Sequence, residues 1–255
     1  MELLQVRNLK KIYSARLSAN TVTALKDVSF SVNEGEFIAI MGESGSGKTT
    51  LLNILAALDK KTSGEVLLDG KDLSLIKEAE LAKFRRDSLG FVFQEFNLLD
   101  TLNVEENIIL PLVLSSESEK DIKSKVTKIV TKLGIDSLSK KYPHEISGGE
   151  KQRVAVARAI ITGPKLLLAD EPTGALDSKS TDILLSVFNK INTEGQTILM
   201  VTHSIKTASS ANRVLFIKDG VVFHQLYKGT NNDREFFGKI SDTLTAIQNG
   251  GAVNE

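Results

Sequence analysis

Gly42-Glu43-Ser44-Gly45-Ser46-Gly47-Lys48-Thr49 spells G-x-x-x-x-G-K-[ST] in full. Glycines in such a loop let backbone N–H groups curl around phosphate oxygens, and a helix starting at its end adds the positive end of its dipole. Lys48 supplies a point charge for β- and γ-phosphates. Thr49 offers a hydroxyl to Mg²⁺, and Thr50 a further hydrogen bond to a phosphate. A second constellation is Lys165-Leu166-Leu167-Leu168-Ala169-Asp170-Glu171, an apolar strand ending in two acids. Asp170 emerges where α/β sheets place their ligands and can hold Mg²⁺ directly or through water. Glu171 can then polarise an attacking water as a general base, a role worth about 10²–10⁴ in rate. Two acids at a strand end are by themselves usually just solvated. Beside a complete phosphate loop they read as the hydrolytic half of a nucleoside triphosphate site.

The elements that must position these residues follow from hydrophobic patterning. Short apolar runs at Leu3–Val6, Val28–Val32, Phe37–Met41, Leu89–Phe93, Leu166–Ala169, Thr197–Val201 and Val214–Ile217 predict strands, most of them covered on both faces. Helical spacing recurs at Lys48–Leu58, Lys77–Arg86, Val104–Val113, Asp121–Leu133, Gly149–Ile161 and Thr181–Ile191. The alternation predicts an α/β fold with a mainly parallel sheet. Asp69-Gly70 and Asp219-Gly220 are hairpin signals and predict antiparallel β additions. Residues 96–161 read as a helical subdomain inserted into the sheet domain; the plainer reading is crossover helices of the core. A polar run, Thr230-Asn231-Asn232-Asp233, precedes Phe236, Phe237, Ile240, Leu244 and Ile247 at helical spacing. This separates a domain over 1–229 from a C-terminal amphipathic helix and tail over 230–255. Asn232 with Glu235 predicts a capping box, and Gly250-Gly251 a helix stop. Such a helix packs on its own domain or docks to a partner.

Composition excludes several function classes. The chain of 255 residues has no cysteine, so disulfides, thiol catalysis and cysteine-ligated metals are out. Formal net charge is zero, which argues against a broad nucleic-acid-binding surface. Met1–Arg7 lacks a basic start followed by an apolar run, so no secretory signal is expected. No apolar stretch approaches the roughly 20 residues needed to span a bilayer, so work on a membrane would need another chain.

Four further pieces resemble the ATPases of ABC transporters. Ile146-Ser147-Gly148-Gly149-Glu150-Lys151-Gln152-Arg153 is similar to their LSGGQ signature, and Asp170-Glu171-Pro172-Thr173-Gly174-Ala175-Leu176-Asp177 to their Walker B strand end and D-loop. Gln94 matches the Q-loop and His203 the H-loop, in the family's order. The resemblance covers roughly residues 2–228. It implies a P-loop NTPase core and ATP with Mg²⁺ as ligands, with Glu171 and His203 catalytic. It implies ATP contacts from Tyr13 under the adenine, from Gly42, Glu43, Ser44, Gly45, Ser46, Gly47, Lys48, Thr49 and Thr50, and from Gln94. Thr49, Gln94 and Asp170 are the implied Mg²⁺ ligands. It further implies a head-to-tail homodimer in which Ser147, Gly148 and Gly149 bind the ATP of the facing subunit, so a monomer should hydrolyse poorly. Two features depart from the pattern. Glu150 replaces the signature glutamine, and a carboxylate there should repel phosphate unless turned away or paired, with Lys151 for instance. Ser14–Asn20 is long and lacks the glycine common there, so the adenine end should be shaped differently.

Glu95-Phe96-Asn97-Leu98-Leu99, Thr101–Asn107 and Gly174–Lys179 resemble the macrolide-export and lipoprotein-release group. Lys218-Asp219-Gly220 through Gly229 and the Phe236-Phe237 tail resemble most the bacitracin and lantibiotic resistance type. That implies an antibiotic-resistance transporter acting on peptides at cell-wall lipid intermediates. The ATPase would sit at the cytoplasmic face of the cell membrane, held by an integral-membrane permease, with a sensor histidine kinase reachable through that permease. Lipoprotein release or macrolide export uses the same chemistry and is the nearest alternative. A regulatory ATPase that signals through permease and kinase is an alternative of another class, and a soluble ABC protein of DNA repair or translation a third.

Overall fold

The computed structural model describes residues 1–14 and 21–249. The chain opens with β1 (Glu2–Ser14), β2 (Thr21–Asn33), β3 (Phe37–Met41), α1 (Lys48–Leu55), β4 (Ser63–Leu68) and β5 (Lys71–Asp72). Next come α2 (Glu78–Ser88), β6 (Leu89–Val92), α3 (Val104–Leu114), α4 (Glu119–Leu133), α5 (Gly148–Ile160), β7 (Leu166–Asp170) and α6 (Ser178–Thr193). Then follow β8 (Thr197–Val201), α7 (Ile205–Ala208), β9 (Arg213–Lys218), β10 (Val221–Tyr227) and α8 (Asp233–Gln248). They fall into two compact units: Met1–Lys77 with the segment from Thr197 onward, and Glu78–Gln196.

In the first unit the strands lie in the order β5-β4-β1-β2-β10-β9-β3-β8. β3 pairs in parallel with β8 and β9, and every residue of β3 and β8 is buried, as continuous apolar strands require. The antiparallel additions are β1 with β2 and β4, β4 with β5, and β9 with β10. Both predicted hairpin turns form. Asp69 and Gly70 have φ of 50° and 71°, and Asp219 and Gly220 of 50° and 77°, the left-handed pair that a tight two-residue turn needs. α1 is anchored behind the phosphate loop by buried Leu51, Leu52, Ile54 and Leu55. α8 begins with the predicted capping box of Asn232 and Glu235, buries Phe236 and Ile240, and packs on α7. The expected stop at Gly250-Gly251 and the segment from Ala15 to Asn20 lie outside the described residues.

In the second unit β6 and β7 pair in parallel, Val92 opposite Ala169. α5 lies on β6 and against α3, α4 and α6. Its buried Val154, Ala155, Val156 and Ala157 are small, which lets the helix approach the strand closely. α4 has Val126, Ile129, Val130 and Leu133 buried at helical spacing, a serine N-cap at Ser118 and a left-handed Gly134 at its end. α3 is closed by a capping box of Asn103 and Glu106. Residues 96–161 lie inside this unit.

Candidate functional site

In the first unit, β3 stops at Met41 and α1 begins at Lys48, so the phosphate loop joins a buried strand to a helix. Gly47 occupies the N-cap with φ 103°, and a Cβ there would lie 2.5 Å from the Ala24 carbonyl oxygen. Only glycine fits. With no side chain at the cap, the first N–H groups of α1 are directed toward the loop. The Lys48 ammonium spans it, donating to the carbonyls of Gly42 at 2.8 Å and Glu43 at 2.7 Å. A turn from Ser46 N to Glu43 O, 3.2 Å, shapes the floor. Thr49 is exposed and Thr50 half-buried beside it.

Tyr13 is fixed from its edge. Its hydroxyl donates to Asp59 Oδ2 at 2.7 Å, Lys11 Nζ donates to Asp59 Oδ1 at 2.6 Å, and that ammonium lies 4.5 Å from the ring centroid. Burial, with the bond to Asp59 second, pushes the Tyr13 phenol up. Burial opposes ionisation of Asp59, yet hydrogen bonds from Lys11 and Tyr13 hold its carboxyl below the usual range. His203 is exposed just after β8, in a turn where Ser204 N donates to buried Thr202 Oγ1 at 3.1 Å and Ser204 caps α7. A cavity of about 250 Å³ brings His203 together with Gly42, Glu43 and Ser44, and the end of α8 closes its rim through Leu244 and Ile247.

In the second unit, the parallel register of β6 and β7 delivers Gln94 and the Asp170–Glu171 pair to one end of the strands. Glu171 has φ 45°, a left-handed conformation that a non-glycine residue adopts only when its surroundings impose it. Gly174 N closes the following turn on Glu171 O at 3.0 Å. A Cβ on Gly174 would lie 3.2 Å from the Gln94 amide nitrogen, so the amide packs against the turn that carries the acids.

Ser147 is the N-cap of α5 and forms a capping box with Glu150. Glu150 Oε2 accepts from Ser147 N at 2.8 Å and Ser147 Oγ at 2.7 Å. These bonds, backbone first, hold its carboxyl below the usual range. The departure from glutamine is thus accommodated by turning the acid back onto Ser147, and the partner is Ser147 rather than Lys151. Gly148 has room for a methyl group, whereas a Cβ on Gly149 would lie 2.7 Å from Ser180 Oγ, at the start of α6. Asp177, the last residue of the D-loop segment, caps α6 by accepting from Ser180 N at 2.9 Å and Ser180 Oγ at 2.7 Å.

The family described as ABC transporter matches residues 25–174. The chain belongs to this family. This ABC chain is 48% identical over 254 residues to the ABC transporter ATP-binding protein YxdL of Bacillus subtilis, covering 99% of this chain and 96% of that one. It is 47% identical over 256 residues to the bacitracin export ATP-binding protein BceA of Halalkalibacterium halodurans, covering 100% of both. Its fold matches the dimeric, post-hydrolysis ATP-binding cassette MJ0796 bound to ADP and phosphate, with a TM-score of 0.80 and 38% identity over 88% of this chain and 98% of that one. The chain is accordingly an ABC ATPase, with the α/β fold of that class.

Three residues of this ABC ATPase were given no role by the sequence. Gln152 and Arg158 on α5 hydrogen-bond the backbone around Gln94, and Asn107 holds the loop beyond it. Asn107 is fully buried; its Oδ1 accepts from Leu99 N at 2.8 Å and its amide donates to the carbonyls of Leu99, Leu102 and Asn103. Gln152 and Asn107 lie inside the motif segments that resemble the family, and Arg158 lies in none of them. The Ser147–Glu150 box was spelled out, as S-x-x-E.

Proposed function

We propose that the chain is the ATP-hydrolysing subunit of a transporter conferring resistance to antimicrobial peptides that act on cell-wall lipid intermediates. It would work as a homodimer on an integral-membrane permease, at the cytoplasmic face of the cell membrane. The observation that carries this reading is the 47% identity to a bacitracin export ATP-binding protein over the full length of both chains. No helix among the described residues is long and apolar enough to cross a membrane, and the reading gives that part to the permease.

The chemistry follows from the residues. Lys48 exchanges the carbonyls of Gly42 and Glu43 for β- and γ-phosphate oxygens, while the N–H groups of Gly42, Glu43, Ser44, Gly45, Ser46, Gly47, Lys48 and Thr49 cradle the triphosphate. Tyr13, fixed through Asp59, stacks on adenine, and Thr50 adds a phosphate contact. Glu171 accepts the proton of the water that attacks the γ-phosphorus, and His203 hydrogen-bonds the γ-phosphate. Ser147, Gly148 and Gly149 of the second copy meet the same γ-phosphate with the N-terminus of α5. Among the described residues no group of three or more His, Asp or Glu side chains could hold a metal by itself. Mg²⁺ takes one or two carboxylates with substrate phosphates and water. Asp170, Thr49 and Gln94 are the residues that would hold it. When bound with ATP, Mg²⁺ would neutralise charge on the β- and γ-phosphate oxygens.

The test is ATPase activity of the chain co-purified with its permease in lipid vesicles. Bacitracin or a lantibiotic is expected to raise turnover several-fold, and Glu171→Gln to abolish it. Stimulation by a macrolide or a lipoprotein, with none by peptides, would overturn the peptide reading. A sensor kinase coupled through the permease belongs to the same reading. Loss of kinase output in a Glu171→Gln strain that keeps its protection would assign hydrolysis to signalling instead.

A further inference from the structure

Gln94 sits on a loop whose backbone is gripped at both ends by one helix. Upstream, the fully buried Gln152 of α5 donates from Nε2 to Phe93 O at 3.1 Å. Downstream, Arg158 of α5 donates from Nη1 to Asn97 O at 2.6 Å and from Nη2 to Phe96 O at 3.0 Å. Phe96 and Asn97 are both left-handed, with φ of 59° and 49°. Two consecutive non-glycine residues in that region persist only when something outside the loop holds them. The held element here is two carbonyls side by side, and the planar guanidinium fork offers each of them an N–H from a separate nitrogen in a fixed geometry. The guanidinium is removed from water to do so, and burial lowers its pKa. Between these two anchors the Gln94 amide lies against Gly174, in the turn after Glu171.

We infer that Arg158, assisted by Gln152, is a positioning residue for Gln94: it fixes the loop so that the Gln94 amide stays against the turn carrying Asp170 and Glu171. The inference rests on the reading of Gln94 as a ligand of ATP-bound Mg²⁺. The contacts of Arg158 are with the backbone of the loop. Its effect passes through the carbonyls of Phe96 and Asn97, and it therefore vanishes when Gln94 has no amide to position.

The full-length chain tests this with Arg158→Met, Arg158→Lys, Gln94→Ala and Arg158→Met/Gln94→Ala. Two quantities are read: amide hydrogen exchange of residues 94–98 without nucleotide, and the Mg²⁺ concentration giving half-maximal binding of a fluorescent ATP analogue. Arg158→Met is expected to speed exchange in 94–98 at least tenfold while the body of α5 stays protected, and to raise the half-saturating Mg²⁺ several-fold. Arg158→Lys, which reaches one carbonyl, should fall between Met and the native residue and serves if Arg158→Met does not fold. Adding Arg158→Met to Gln94→Ala should change the Mg²⁺ requirement by less than twofold. Unchanged exchange in 94–98, or effects of the two substitutions that multiply, would overturn the inference. A Mg²⁺ requirement unmoved by Gln94→Ala alone would instead overturn the role of Gln94 on which it rests.

Discussion

At the N-terminus of α5, Glu150 closes the capping box that a glutamine would also close, and adds a negative charge where the helix offers N–H groups to an anion. Glu150→Gln keeps the cap and removes the charge. We expect ATP-driven dimerisation of the Gln variant to be about two- to fivefold tighter, measured by sedimentation with a slowly hydrolysed analogue. Equal or weaker dimerisation would mean that the charge points away from the phosphate. Glu150→Ala removes the box itself and should cost about 0.5–1 kcal/mol, the low end for a cap this accessible. The sign with pH follows from the lowered carboxyl. The stabilisation is complete above the ordinary glutamate value and is lost as pH falls through the lower folded value. The gap in thermal midpoint between native chain and Glu150→Ala should hold from neutrality to about pH 5 and shrink below about 4.3. The neighbouring glycines separate packing from ligand contact. Gly149→Ala collides with Ser180 and should lower the midpoint, whereas Gly148→Ala meets nothing closer than 3.7 Å and should not. Loss of turnover in a stable Gly148→Ala chain would locate its effect at the facing ATP.

Among the elements, α8 shows how far periodicity carries. Its apolar spacing and its capping box were legible, and so was a choice between packing at home and docking elsewhere. The burial decides that choice: Phe236 and Ile240 are fully buried on the first unit, and Lys218 Nζ donates to Ile247 O at 2.9 Å. Phe236→Ala should cost about 3–5 kcal/mol, while Phe237, 42% exposed, should cost under about 1 kcal/mol on the same change. Equal effects in chemical denaturation would place the helix elsewhere. The strands that announced themselves were those buried on both faces, β3, β7 and β8, because continuous apolar runs leave no ambiguity of face. β1 and β2 run to 13 residues with several register shifts, and their partly exposed faces hid their length. α7 has four residues, too few to show a period. In the site, the phosphate loop and the Asp170–Glu171 pair were legible from their own residues, whereas Tyr13, Gln94, Ser147–Gly149 and His203 were legible only through the family resemblance. Arg158 was legible through neither, since an arginine within a helix looks like a solvated charge until the Phe96 and Asn97 carbonyls are placed beside it.

For the whole molecule, the working unit we propose is an interface. The phosphate loop, Tyr13 and His203 belong to one compact unit of the chain, and Gln94, Ser147–Gly149 and Asp170–Glu171 to the other. Each ATP would need the signature helix of a second copy, so hydrolysis should rise with the square of protein concentration when dimerisation limits it. The most direct measurement is the association state of purified Glu171→Gln with ATP and Mg²⁺, read by analytical ultracentrifugation alongside phosphate release. The expected result is a stable ATP-bound dimer with turnover reduced at least about 10²-fold. A monomer that binds ATP, or a variant that hydrolyses at the native rate, would contradict it.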